Sequence, residues 1–172
     1  MEEQITPGQI AKKYGLIYAL VSTVINLIPM LTETAVSIGI LLIFVNIIVA
    51  MVFFILAGRE FKKLNGGYMT FGEGFKINMI AASIVAVVRS LVVYVYVKVI
   101  DTGYGERMAE MMQDQWAKGG MQEEQVEQMS GMMSGMTNPE ITLFSGIITM
   151  MLGGLIWGAI ASAITKSEED EF

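Results

Sequence analysis

Hydrophobic and polar residues are separated into long blocks along this chain. Four apolar blocks cover residues 14–31, 35–57, 75–97 and 141–164. Each approaches or exceeds the ~20 residues that an α-helix needs to cross a bilayer. Apolar residues in continuous blocks, without helical or strand periodicity, are typical of membrane spans. The pattern predicts an all-α fold: an integral membrane four-helix bundle formed by a single membrane domain over residues 1–172.

The polar stretch at residues 101–138, between the third and fourth blocks, carries a different pattern. Apolar residues recur there at helical spacing, first at Met108, Met111, Met112 and Trp116, and then at Val126, Met129, Met133 and Met136. Such spacing places each set on one face of a helix. Two glycines at 119–120 separate the sets. We therefore predict an extramembrane amphipathic helical hairpin that lies on the outer membrane surface or caps the bundle.

Short polar motifs mark the ends of the predicted spans. The dipeptides at 6–7 (Thr-Pro) and 138–139 (Asn-Pro) are typical helix starts. Residues 65–67 (Asn-Gly-Gly) form a typical helix stop. Thr70 and Glu73 have the spacing of a capping box, which predicts that the third helix begins beside them.

The basic residues predict the orientation of the spans, since they favour the cytoplasmic side of a membrane. If the N-terminus is inside, most of the 11 basic residues fall on inner flanks: Lys12, Lys13, Arg59, Lys62, Lys63, Lys76 and Lys166. Only Lys98, Arg107 and Lys118 fall outside, and Arg89 lies within the third block. We therefore predict a multi-pass protein with both termini in the cytoplasm.

The composition excludes several kinds of chemistry. The chain has no cysteine and no histidine, which excludes disulfides, thiolate nucleophiles, imidazole bases and the usual zinc sites. It also has no motif typical of nucleotide binding or nucleophilic catalysis. We therefore expect a protein that is not an enzyme, carries no cofactor and binds no nucleic acid.

Residues 65–75 form the most distinctive segment of the chain, with the sequence NGGYMTFGEGF. Two spans precede it, and a third span, a charged segment ending in Asn138-Pro139-Glu140 and a glycine-rich last span follow. In this order of elements the chain resembles a family of small bacterial four-span proteins, domain of unknown function 4199. The resemblance covers nearly the whole chain and implies the four-span fold and a bacterial inner-membrane location. The family has no assigned activity, so the resemblance implies no functional residues.

Arg89 is the residue whose position most needs an explanation. It lies nine residues before Lys98, which is about 13 Å from the outer end of a helix. A charge at such depth costs at least ~2.5–3.5 kcal/mol unless it is paired or hydrated. Asn26, Asn46 and Thr149 fall at a similar depth in the other spans. The four residues could therefore form an intramembrane polar layer.

Two interpretations of this layer remain open. In the first, Arg89 faces an outward-open polar pocket and is paired with Glu33 or held by Asn26 and Asn46; such a pocket would bind a ligand or an ion. In the second, Arg89 extends outward past Tyr96 to water, and the asparagines only form hydrogen bonds between helices, worth ~0.6 kcal/mol each.

Two further sets of residues have regular spacing. Gly154, Gly158 and Ser162 are four residues apart in the last span, which predicts close helix packing, either within the chain or between chains. Met129, Met132, Met133 and Met136 could offer thioether ligands to Cu(I). Because methionine is also a flexible apolar filler on helix faces, we do not expect a metal site.

The sequence favours a structural or accessory role, within a membrane complex, for a small integral inner-membrane protein. Its expected partners are the lipid bilayer and either a second copy of the chain or another membrane protein. The alternative is an oligomeric transporter or channel subunit that uses the polar layer around Arg89.

Overall fold

The structure is a computed structural model that describes residues 5–133 and 137–167 of the 172. Within these ranges it contains six α-helices: α1 (Pro7–Leu31), α2 (Gly39–Leu64), α3 (Phe71–Val95), α4 (Tyr104–Lys118), α5 (Glu123–Met133) and α6 (Pro139–Thr165). A π-helical segment, Tyr96–Ile100, extends α3. By length and composition α1, α2, extended α3 and α6 are able to cross a membrane. The predicted all-α fold class is confirmed, and the chain is a multi-pass membrane protein.

The helix starts follow from local hydrogen bonds. At α3 the predicted capping box is confirmed: the Thr70 hydroxyl accepts from the Glu73 backbone N–H at 3.2 Å, and the Glu73 carboxylate accepts from the Thr70 N–H at 2.8 Å. Thr6 and Gln9 form a second capping box at α1, which the sequence analysis missed. At α6 the Asn138 side chain accepts two backbone N–H groups of the first turn.

The helix bounds differ from the apolar blocks in two ways. Helices α1, α3 and α6 begin before their blocks, at Pro7, Phe71 and Pro139, because a helix starts at its cap and hydropathy marks only its apolar part. Helix α2 begins at Gly39 and not at residue 35, because the intervening chain makes turns. Glu33 adopts the left-handed region with φ 54° in that connection. We call this end of the bundle the hairpin end, and the opposite end, which holds residues 65–70, the loop end.

Helix α3 is the centre of the bundle and packs most extensively on α6 and on α1. Helix α2 packs on α1 and α6 and completes a ring of four helices. The buried residues of α2 lie between Ala50 and Phe61, and those of α6 between Gly154 and Thr165. Both sets lie in the half of the bundle nearer the loop end. Towards the hairpin end α2 and α6 are therefore less closely packed.

Small residues line the contact between α3 and α6. A Cβ added to Gly154 would lie 2.6 Å from the Cβ of Ala82, and one added to Gly158 would lie 3.2 Å from the Cβ of Asn78. The Asn78 amide donates to the Gly158 carbonyl at 3.1 Å and to the Ser162 hydroxyl at 3.0 Å. The predicted packing residues thus pack within the chain, so Gly154 and Gly158 are not free to form an interface between copies.

The loop end is closed by Met69, which is only 1% exposed. Its methyl group fits against Gly58 and Gly74, where an added Cβ would lie 3.2 and 3.0 Å from it. The backbones of Met69 and Ser167 exchange two hydrogen bonds, of 3.2 and 3.0 Å. Residues 65–75, the segment that carries the family resemblance, therefore have a structural role: they join the α2–α3 connection to the end of α6.

The hairpin end is covered by the start of α4. Tyr104 packs edge-on against Tyr96 with ring centroids 5.7 Å apart, and both belong to a buried cluster with Met30 and Val97. Met108 packs against this cluster. The first turns of α4 therefore cap the bundle, which is one of the two placements predicted for the hairpin.

Candidate functional site

Arg89 lies half-buried on the bundle side of α3, with its guanidinium held by α1 and α2. Its Nη2 group donates to the Asn26 Oδ1 atom at 2.8 Å, and its Nη1 group lies 3.5 Å from the Asn46 Oδ1 atom. The structure thus brings together three of the predicted polar residues. The first interpretation allowed Arg89 either to pair with Glu33 or to be held by Asn26 and Asn46. The structure shows Arg89 held by the two asparagines.

The two asparagines are themselves oriented by their own helices. Each amide nitrogen donates to the backbone carbonyl four residues earlier, Asn26 to Ser22 and Asn46 to Leu42, both at 2.7 Å. The Asn26 amide also donates to the Asn46 Oδ1 atom at 2.9 Å. Because the amide protons are used in this way, the oxygens of both side chains are directed to Arg89. Two neutral carbonyl dipoles therefore face the cation.

A crevice of about 360 Å³ adjoins these side chains, on the side where α2 and α6 diverge. Its polar lining residues are Tyr18, Asn26, Asn46, Arg89, Thr149 and Trp157. The rest of its wall is apolar and comes mainly from α2 and α6, including Leu42, Ile43, Ile47 and Met150. The crevice has the volume of a small ligand site, for which ~300–1,000 Å³ is usual.

The charge of Arg89 has no anionic partner in the part of the chain that the structure describes. Ion pairs in that part join Lys13 to Glu60, Lys98 to Glu140, and Arg107 to both Glu33 and Asp101. All of these lie at or near the ends of helices. No described carboxylate comes within the 4.0 Å of the Arg89 guanidinium that an ion pair requires. The site therefore carries a net positive charge beside an apolar crevice.

Glu33 does not belong to the polar layer, which corrects the prediction that it could pair with Arg89. Its carboxylate accepts from the Arg107 Nε–H at 2.9 Å, because the turn after α1 lies next to the start of α4. Arg107 also donates to Asp101 at 2.6 Å, and this hydrogen bond lowers the pKa of the Asp101 carboxyl. The same contacts with Asp101 and Glu33 raise the pKa of Arg107.

We expect the pairs of Arg107 to help hold α4 on the bundle. The Arg107→Gln variant should exchange the backbone amides of the first α4 turns several-fold faster at neutral pH, as measured by hydrogen–deuterium exchange corrected for intrinsic rates. The folded-state pKa of Asp101 lies below its ordinary value of ~3.9. The contribution of the ionised Asp101 carboxylate to the docking of α4 is therefore present above about pH 4. It is lost as the pH falls through the folded-state pKa. Lys118→Gln, at the far end of α4, is the matched control. Equal exchange in wild type and Arg107→Gln would contradict a docking role.

The remaining predicted residues have different placements. Thr149 lines the crevice on α6, opposite the asparagines. Met129 is exposed on α5. Met136 and the side chains of Met132 and Met133 lie outside what the structure describes, so the Cu(I) alternative stays a prediction.

Two residues of the site were missed by sequence reasoning. Trp157 lines the crevice from α6, and Tyr18 lines it from α1, where its ring stacks on Phe53 with centroids 5.3 Å apart. An aromatic residue in a span is not distinctive by itself. A usable signal was the spacing of Tyr18 and Asn26, which are eight residues apart and so share a helix face.

The arrangement offers a positive charge and hydrogen-bond donors to an anionic group. A guanidinium stays protonated and offers several N–H donors in one plane, of which the asparagines use only some. These donors match the two oxygens of a carboxylate or phosphate.

The fold and the site together define a class: a four-helix membrane protein with one intramembrane arginine beside a small crevice. The model of the family described as "Protein of unknown function (DUF4199)" matches residues 13–167, so the chain belongs to that family. The match includes α1 from Lys13 onwards, the other three long helices, the hairpin and residues 65–75, and it confirms the resemblance drawn from the sequence. Neither a curated protein nor a solved structure shows significant similarity to the chain.

Proposed function

We propose that this protein is a membrane-embedded binding protein that holds an anionic group at Arg89 and acts as an accessory component, without catalysis. The observation that carries the proposal is the Arg89 guanidinium, which is half-buried next to a crevice and faces two neutral amides. Charged side chains inside a membrane are costly, and they are usually kept where they meet a partner or a ligand. An anion in the crevice would supply the missing partner.

The close packing at the loop end favours a binding role over the conduction of ions or solutes. Below the crevice the bundle is packed by Ala57, Phe61, Met69 and Ile77, each at most 1% exposed. A path for ions or solutes across one copy of the chain would have to pass through this packing. The alternative of a transporter or channel subunit therefore has less support than a binding role.

The orientation belongs to the same proposal. The seven basic residues predicted to lie inside are at the loop end, close to the ends of α1, α2, α3 and α6. In a bacterial inner membrane the loop end would then face the cytoplasm, and the crevice would lie in the outer half of the bundle. Activity of a periplasm-only reporter fused to the C-terminus would contradict this orientation.

Thermal unfolding in an uncharged detergent tests anion binding, with octanoate as the probe. A ligand at 100 times its Kd stabilises a folded protein by ~2.7 kcal/mol, so we expect octanoate to raise the Tm of wild type by several degrees. Arg89→Gln should show no such rise, because it removes the charge and keeps a polar side chain beside Asn26. Lys98→Gln, which removes an exposed cation at the end of extended α3, is the matched control and should keep the rise. Equal shifts in wild type and Arg89→Gln, or no shift in wild type, would overturn the proposal.

A further inference from the structure

We propose that the anion held at Arg89 is the carboxylate of a single-chain amphiphile, which enters the crevice sideways from the bilayer between α2 and α6. This inference rests on the proposed binding of an anion at Arg89 and names the ligand class and its route. It follows from the composition of the crevice wall, from the position of its mouth and from the small number of polar groups inside it.

The wall of the crevice matches a molecule with one polar end. The polar groups of Asn26, Asn46 and Arg89 lie together, where the two amide oxygens meet the guanidinium. Leu42, Ile43 and the other α2 and α6 residues that line the remaining wall are apolar. A ligand that was polar throughout would leave most of its hydrogen-bonding groups without partners on this wall.

The mouth of the crevice opens on lipid-facing surface. Ile43 of α2 lines the crevice and is 60% exposed, and on α6 Thr149 and Gly153 line it from the other side. The neighbouring Phe44 and Leu152 are also largely exposed, so the rims of the mouth are apolar on both helices. A water-borne ion would have to pass these rims, whereas the tail of an amphiphile could remain among them.

Gly153 keeps this mouth open. A Cβ added at Gly153 meets no other described atom within 4 Å, in contrast to the close contact at the adjacent Gly154. The space beside Gly153 therefore belongs to the crevice and not to the packing of α3 against α6. A larger side chain at Gly153 would fill the mouth without separating the helices.

The size and the head of the ligand follow from the same geometry. A volume of about 360 Å³ lies at the low end of the usual range and suits one acyl chain with a compact head. The planar donors of an arginine match the two oxygens of a carboxylate. A glycerophospholipid would bring a second chain and a large headgroup, for which the crevice offers no further polar side chains beyond Thr149 and the ring groups of Tyr18 and Trp157.

Quenching of Trp157 fluorescence tests the inference, because bromine atoms quench tryptophan at short range. The chain has two tryptophans, so Trp116→Phe leaves Trp157 as the only reporter. The protein is placed in phosphatidylcholine vesicles at a pH where fatty acids are ionised, and dibromostearate is added. Its methyl ester, which has the same tail and no charge, is the matched probe. We expect the acid to quench several-fold more than the ester at equal mole fraction.

Two variants in the Trp116→Phe background test the binding of the ligand's head and its route of entry separately. Arg89→Gln should reduce quenching by the acid to the level of quenching by the ester. Gly153→Leu should weaken quenching by the acid, because the larger side chain blocks the mouth. Equal quenching by acid and ester in the parent, or a preference for the acid that survives in Arg89→Gln, would overturn the inference. Full preference in a folded Gly153→Leu variant would overturn the lateral route. If octanoate still raises the Tm through Arg89 when the acid and the ester quench equally, binding of a carboxylate at Arg89 stands and only the long-chain ligand is wrong.

Discussion

Replacing Gly154 by leucine is expected to destabilise the bundle by about 3 kcal/mol, because even a Cβ at this position would lie 2.6 Å from the Cβ of Ala82. Both atoms are attached directly to helix backbones, so neither can turn away. The two helices would have to separate. Separation would also stretch the hydrogen bonds from the Asn78 amide to Gly158 and Ser162.

The free energy of unfolding of Gly154→Leu can be measured by titration with dodecyl sulfate in mixed micelles, followed by circular dichroism. Gly153→Leu is the matched control, since it makes the same substitution one residue away, where an added Cβ has open space. A double variant, Gly154→Ala with Ala82→Gly, should recover most of the stability that Gly154→Ala loses. Similar losses for Gly154→Leu and Gly153→Leu would show that the contact between α3 and α6 is not as close as described.

Asn26→Leu is expected to cost about 2 kcal/mol, because it removes the 2.8 Å hydrogen bond to the Arg89 guanidinium and leaves that charge in an apolar environment. Asn46→Leu should cost less, since Asn46 lies 3.5 Å from Arg89. Arg89→Leu should be at least as stable as wild type and should lose the protection by octanoate. An arginine that lowers stability and is needed for binding is typical of a functional site.

A double-mutant cycle gives the critical measurement for this pair. In the Arg89→Leu background Asn26→Leu should lower the free energy of unfolding only slightly, because there is no longer a charge to leave unpaired. The coupling energy is the difference between the cost of Asn26→Leu in wild type and its cost in Arg89→Leu. Additive costs would mean that Asn26 stabilises the bundle independently of Arg89. The site would then be a set of ordinary interhelical hydrogen bonds, as in the second interpretation of the sequence.

The sequence allowed the polar layer to be predicted because depth in a membrane helix follows from residue count. A constant rise per residue placed Arg89, Asn26 and Asn46 at one level before any contact was known. The pairing of Glu33 could not be predicted in this way. Its partner Arg107 is 74 residues away, and the contact depends on how α4 docks on the hairpin end, which is a tertiary feature.

The sequence predicted only one of the two helix faces that form the contact between α3 and α6. The glycines of α6 stood out in the sequence, whereas its partner stripe on α3 did not, because alanine is common in spans. That stripe also has a spacing of four, and all its members are buried: Gly74, Asn78, Ala82, Ala86 and Ser90. Asn78 is its most informative member, since an amide that is 1% exposed in a span must find a partner.

The apolar wall of the crevice had no signature in the sequence. It exists because α2 and α6 are packed together at the loop end and diverge towards the hairpin end, and their apolar residues look alike in both halves. Hydropathy distinguishes membrane from water, but it does not distinguish a residue that packs on protein from one that faces lipid. The lining of the site therefore had to come from the structure.

The stripe on α3 has a consequence for the biogenesis of the protein. Helix α6 is synthesised after the other described helices, yet it supplies the partners of Asn78 and leads to Ser167, which forms the hydrogen bonds with Met69. A nascent chain that ends before α6 therefore has α1, α2 and α3 in the membrane without these partners. Arrival of α6 both provides acceptors for the Asn78 amide nitrogen and closes the bundle, so the described fold is assembled only after α6 has been synthesised.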